Sequence, residues 1–216
     1  RGVKAVAGSA PELRKSERTR KAILDSALEL LWSRPFREIT IAELMSITGV
    51  GRSAFYQYFD DLYGVMEMLL LGLEEDIQTA AAPWFGGEGD PVALLHESLA
   101  ELVRVCYESG PILRAVSDAS TTDERLDRSW TSFLGVFDDA VTAQIEQQQN
   151  EGLIPVFDAR PIAVALNRLD AYLLIDAFGR HPRHNPEPVR EALTRIWSST
   201  LYESYSLHIT EGNTPS

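Results

Sequence analysis

Residues 38–61 read EITIAELMSITGVGRSAFYQYFDD, the pattern of two short helices joined by a tight turn. Thr40 followed three residues later by Glu43 is a capping box, in which the hydroxyl accepts from a free N–H at the helix start and the carboxylate reaches back. Ile39 and Leu44 stand at the hydrophobic staple positions around that cap. The spacing predicts a helix over 40–47, a turn at Thr48-Gly49-Val50 with Gly49 left-handed, and a second helix over 51–59 stapled by Val50 and Phe55. Two short helices joined by a glycine turn are the helix-turn-helix signature.

The faces of the second helix divide the labour. At about 100° per residue, Phe55, Tyr58 and Phe59 share one side and pack, while Ser53, Tyr56 and Gln57 share the other, with Arg52 on the first turn. In this motif the start of the second helix reaches base edges in the major groove. Arg52 can donate twice to guanine and Gln57 can pair with adenine, whereas Tyr56 and Thr40 suit phosphates, which position a protein without carrying sequence code. Double-stranded DNA is therefore the expected partner of this segment.

The charge distribution agrees once it is divided. The 216 residues carry a formal net charge of −12, yet residues 1–60 hold ten Lys and Arg against seven Asp and Glu, and residues 61–216 hold ten against twenty-five. All three lysines (Lys4, Lys15 and Lys21) lie near the start, and Lys15 and Arg18 add basic contacts toward DNA. Residues 1–13 are small and polar without periodicity, which predicts a disordered basic arm. A single cysteine forms no internal disulfide, no run approaches the roughly 20 apolar residues of a membrane span, and RGVKAVAGSAP lacks the apolar stretch of a signal peptide. The chain is expected to be cytoplasmic.

Working outward, Ile23, Leu24, Ala27, Leu28 and Leu31 recur at helical spacing from Ser16 until Ser33-Arg34-Pro35. After the motif, the spacing predicts a helix over 61–82, a loop at PWFGGEGDP (83–91), and helices over 91–108, 111–117, 122–150, 159–180 and 187–207. Gly110-Pro111, Gly152 with Pro155, and Gly179 through Pro188 are read as breaks. There is no strand pattern of useful length and no internal repeat. The expected fold is all-α with about nine helices: a three-helix DNA-binding head over 14–61 and a helical bundle for ligand binding and dimerisation over 62–216.

The stretch from Arg18 to Leu69, with RKAILDSALEL, ITIAELMSITGV and the FYQYF cluster, resembles the TetR family of bacterial transcriptional regulators. More weakly, ALN at 165–167, RIW at 195–197 and the Trp130 region make the second half similar to its mycobacterial EthR-type repressors. The resemblance implies a homodimeric repressor released by a small ligand and acting on a neighbouring gene, that of a flavin monooxygenase. The chain departs from the family in two places. Gly51 replaces the Ser or Thr expected to cap the second helix, and Asp60-Asp61-Leu62 stands where many members carry a phosphate-binding lysine. Backbone contact then leans on Arg52, Tyr56, Thr40 and the basic arm, and the following helix is expected to cap on Asp60.

The acidic half has more residues than DNA reading needs. The segment ARPIAVALNRLDAYLLIDAFG (159–179) is apolar around most of its circumference, and helix 187–207 carries a similarly broad stripe, so these two are expected to meet both the core and a second subunit. Asn167 and Asp170, three residues apart on that apolar helix, would supply polar groups to a cavity otherwise walled by Val103, Tyr107, Trp130, Phe133, Phe137 and Trp197. By the resemblance, Asn167 matches a ligand-bonding amide and Asp170 occupies the place of a second, an acid that favours a ligand with a donor or an amine. The expected ligand is small and hydrophobic or amide-containing. Interhelical hydrogen bonding, or pairing of Asp170 with an arginine, is the structural alternative for both residues.

Nothing in the sequence calls for catalysis, a metal or a cofactor. His181 and His184 sit in the loop HPRHNP without an adjacent carboxylate or cysteine, Cys106 reads as a buried structural thiol, and no glycine-rich phosphate loop or nucleophile elbow is present. Two other functional classes stay open on the sequence alone. One is a helix-turn-helix activator without a ligand; the other is an all-α small-molecule binding protein or enzyme.

Overall fold

The computed structural model describes the backbone of residues 10–211 and the side chains of residues 16–202. Eight α-helices and one 3-10 turn, Phe36–Glu38, account for the described chain, and no strand occurs among the described residues. Helices α1 (Ala10–Ser33), α2 (Ile41–Thr48) and α3 (Arg52–Phe55) form the head. Helices α4 (Leu62–Gly86), α5 (Pro91–Ser120), α6 (Glu124–Asn150), α7 (Ala159–Phe178) and α8 (Pro186–Glu211) form the bundle.

The expected arm over 1–13 is corrected for residues 10–13, which already belong to α1; residues 1–9 lie outside the described residues. Pro11 in the first turn and the strong helix formers after it extend the helix without needing an apolar stripe. In the head, Ile23, Leu44 and Phe55 are fully buried and Ile39, Met45 and Phe59 nearly so, with Val50 and Tyr58 partly buried against them, all in a core continuous with that of the bundle. Thr40 Oγ1 accepts from the Glu43 N–H at 3.2 Å, and Gly49 adopts the left-handed conformation at φ 66°. The carboxylate of Glu43, however, pairs with Arg34 Nη1 at 2.6 Å instead of completing the capping box. The second helix is also shorter than the expected 51–59. Gly51 offers no side-chain cap, and after Phe55 the chain tightens into turns closed by Gln57 N to Ala54 O and Tyr58 N to Phe55 O.

Two expected breaks are not breaks. Helix α4 runs through Pro83, Trp84 and Phe85, which the sequence placed in a loop. Its distorted end is stitched into the bundle at Trp84. The backbone N–H donates to Ser98 Oγ at 3.1 Å, the carbonyl accepts from Gln144 Nε2 at 2.6 Å, and the indole N–H donates to Tyr202 Oη at 2.8 Å. Three buried hydrogen bonds to three other helices outweigh the local breaking tendency of Pro83. Likewise the expected helices 91–108 and 111–117 are one continuous α5 through Gly110-Pro111. Gly110 is there for contact: a Cβ on it would lie 2.4 Å from the Phe178 carbonyl oxygen of α7. Pro111 removes the donor that would bond the Tyr107 carbonyl, and Arg183 Nη1 fills that vacancy at 2.7 Å.

Candidate functional site

The candidates for DNA contact are exposed on the head wherever their side chains are described. Thr40, Arg52, Ser53 and Gln57 are exposed, and Tyr56, 51% exposed, rests edge-on against buried Phe55 at 5.4 Å. Arg18 on α1 is exposed as well, while the side chain of Lys15 lies outside the described residues. Arg37, on the 3-10 turn before α2, is an exposed cation that sequence reasoning passed over, because a three-residue turn has no periodicity to announce it.

Asp61, not Asp60, caps α4, its carboxylate accepting from Gly64 N at 2.8 Å. The same carboxylate faces Arg125 at the start of α6, with Nη1 to Oδ2 at 3.0 Å, and Arg125 also bonds Glu67 through Nε at 2.7 Å and Nη2 at 2.6 Å. The two acidic residues after the aromatic cluster are therefore not equivalent. Asp60 is exposed, whereas Asp61 is partly neutralised by a guanidinium from the bundle. A second contact joins head and bundle from the other side. Trp32 of α1 stacks on His181 with ring centroids 4.5 Å apart, and the Arg183 guanidinium lies 5.0 Å from the Trp32 ring and 3.9 Å from that of Tyr107.

Inside the bundle, α4 to α8 line a partly open cavity of about 90 Å³. Phe133, Phe137, Asn167, Asp170 and Trp197 line it, as the sequence placed them. Val103, Tyr107 and Trp130 do not, and each is a correction. The side of α5 that meets the cavity carries Leu95, Leu99, Leu102, Cys106 and Leu113, so Val103 and Tyr107, one residue further round, are turned away. Tyr107 packs edge-on against Phe178 at 5.4 Å, and Trp130 stacks on Phe133 at 5.5 Å without itself reaching the cavity. Trp84 and Phe85 were missed because the Pro- and Gly-rich stretch around them reads as a loop. Cys106 was seen as a core thiol, and it is both fully buried and part of the wall.

The polar groups of this cavity have distinct states. Asn167 Nδ2 donates to Asp138 Oδ1 at 2.9 Å, and Arg168 bonds the same carboxylate at 3.1 and 2.9 Å, so the buried charge of Asp138 is answered. Asp170, only 7% exposed, accepts from Trp197 Nε1 at 2.9 Å through Oδ1 and meets no arginine among the described residues. Burial pushes its carboxyl up to about 7 against the opposing pull of the Trp197 hydrogen bond, and burial followed by the nearby Asp170 charge pushes the Cys106 thiol up to about 12.

A helix-turn-helix head carried on an all-helical bundle defines a DNA-binding transcription regulator. The chain belongs to the tetR family of bacterial regulatory proteins, whose model matches residues 23–64, in the branch marked by the C-terminal domain of the transcriptional regulator EthR, matched over residues 95–203. It is 26% identical over 189 residues to the HTH-type transcriptional regulator EthR of Mycolicibacterium smegmatis, covering 84% of this chain and 85% of that protein. With EthR of Mycobacterium tuberculosis strain H37Rv it is 24% identical over 185 residues, covering 84% and 86%. Among solved structures, NalD of Pseudomonas aeruginosa, the secondary repressor of the MexAB-OprM multidrug efflux pump, superposes with a TM-score of 0.68 at 20% identity, covering 88% of this chain and 98% of that one. None of the described helices is long and apolar enough to cross a membrane.

Proposed function

We propose that this chain is a cytoplasmic, non-enzymatic repressor that binds a near-palindromic operator as a homodimer and leaves it when a small ligand fills the bundle cavity. The observation that carries this reading is the cavity itself, apolar but for a few polar groups, walled in part by the same α4 that begins at the DNA-reading head. Exposed Tyr172, at 81%, with Leu169 and Leu173 beside it on α7, supports pairing of two copies through α7 and α8. A two-fold dimer of this kind sets its recognition helices roughly 34 Å apart. By its likeness to the EthR proteins, the regulated gene is a neighbouring monooxygenase.

Release requires that the ligand prefer a dimer whose heads are splayed differently, since only differential affinity shifts a population. The Arg125 clamp on Asp61 and Glu67 and the Trp32–His181–Arg183 contact are two places where a shift in the bundle would be felt by the head.

Fluorescence anisotropy of labelled DNA from the intergenic regions beside the gene, titrated over salt, tests the assignment. One fragment should bind well above a scrambled control, and binding should weaken as salt rises. Arg52→Ala should lose about 10- to 100-fold for that fragment, the 1–3 kcal/mol of a bidentate base contact, while Tyr56→Phe should weaken all fragments alike. Absence of any preferred fragment at low salt would remove the neighbouring-operator assignment. Arg125→Ala should also weaken operator binding, on the order of fivefold or about 1 kcal/mol, by unmasking the Asp61 carboxylate beside phosphates. Adding Asp61→Asn to that variant should restore most of the loss; if it does not, the clamp acts by some route other than charge.

A further inference from the structure

The hydrogen-bonding capacity left over in the cavity is one-sided. Ser98 Oγ is occupied, accepting from Trp84 N and donating to the Ala81 carbonyl at 3.4 Å. The Cys106 thiol is protonated and buried. A carboxylate can only accept, so the contact with Asp138 fixes the Asn167 amide with its NH2 toward Asp138 and leaves its carbonyl oxygen over. Asp170 uses one oxygen for Trp197, and its second takes no hydrogen bond from any described residue. Two acceptors one helical turn apart on α7 thus line an apolar chamber, one of them on a carboxylate more than nine-tenths buried with no described cation against it.

Resting on the assignment of this cavity as the ligand site, we propose that it takes an apolar amine, whose protonated nitrogen donates to Asp170 Oδ2 and Asn167 Oδ1 while its hydrocarbon body lies against Trp84, Phe133 and Phe137. Above about pH 7, where Asp170 is ionised, a neutral ester, ketone or ether brings only acceptors and leaves both oxygens without partners; an alcohol brings one donor and no charge. An ammonium brings three donors and the missing positive charge. The groups that face Asp170 are Cys106 from α5, Trp197 from α8 and Asn167 from its own helix, while α4 and α6 contribute only apolar side chains to the wall. No other charge in the wall competes for the ligand cation. Because burial holds the empty carboxyl near 7, amine binding below that pH expels a proton from Asp170.

The test compares n-octylamine with 1-octanol, titrated into the full chain at pH 8 and followed by the fluorescence of Trp84 and Trp197. The wild-type protein should bind the amine at least about tenfold more tightly than the alcohol, and D170N, its folding checked by circular dichroism, should bring that ratio close to one. Equal binding of the two probes by the wild type, binding of neither, or a preference that survives in D170N overturns the proposal. Adding each probe to the DNA complex separates the proposal from the ligand-release reading. An amine held through Asp170 without release of DNA would sink ligand release and leave the amine site standing. An alcohol that fills the cavity and releases DNA while the amine does neither would do the reverse.

Discussion

Gly110→Ala is expected to destabilise the protein by about 3 kcal/mol and to lower its melting temperature by roughly 10 °C. Helix propensity alone predicts the opposite sign, since alanine inside a helix gains about 1 kcal/mol over glycine. The close approach of α5 and α7 decides against it. The new methyl group would sit 2.4 Å from the Phe178 carbonyl oxygen and 2.7 Å from its carbon, both backbone atoms that cannot swing aside. The helices would have to separate at the crossing that sets one wall of the cavity. Gly72→Ala in α4 is the matched control, because nothing lies within 4 Å of its added Cβ. It should gain up to about 1 kcal/mol. If thermal unfolding shows both substitutions stabilising, Gly110 is not a packing contact.

Asp170→Asn should make the unliganded protein more stable at pH 8, by as much as about 4 kcal/mol, and change it little near pH 4. The folded carboxyl keeps its proton up to about 7, against an ordinary value of 3.8. Between those two values the native state binds more protons than the unfolded chain, so the wild type loses stability as pH rises through that window and stays at the lower level above it. Asparagine does not ionise, and its carbonyl oxygen still receives the Trp197 N–H. Denaturant unfolding of both proteins at the two pH values reads the difference directly. A variant-minus-wild-type difference that does not grow between pH 4 and pH 8 would mean that Asp170 is not buried as a strained carboxyl. The cost is informative beyond stability, because an isolated buried carboxylate on an apolar wall is a group that folding alone would have replaced.

Much of this organisation was legible in residue order because its causes are local. The Thr40 cap, the left-handed Gly49, the burial of Phe55 and Phe59 and the outward set of Arg52, Ser53, Tyr56 and Gln57 all follow from contacts within a few residues or from helical period. Phe133, Phe137, Asn167, Asp170 and Trp197 were reachable for a related reason: unusual polarity on an apolar helix and aromatic residues at helical spacing. The continuity of α4 through Pro83 and of α5 through Gly110-Pro111 was not legible. The groups that rescue those segments, Gln144, Tyr202, Ser98 and Arg183, are distant in sequence, and nothing in the local pattern announces them.

What the sequence by itself determined, then, is the all-helical class, the helix-turn-helix and its exposed polar face, since capping, turn chemistry and periodicity act over one or two turns. Only the tertiary structure decided which wall residues meet, why Val103, Tyr107 and Trp130 turn away, and which partner each buried carboxylate receives. Asp138 obtains Arg168, whereas Asp170 obtains an indole N–H and no cation among the described residues. The physical reason is that a buried charge is set by what the packing of other helices places within hydrogen-bonding distance, and that placement has no period along the chain.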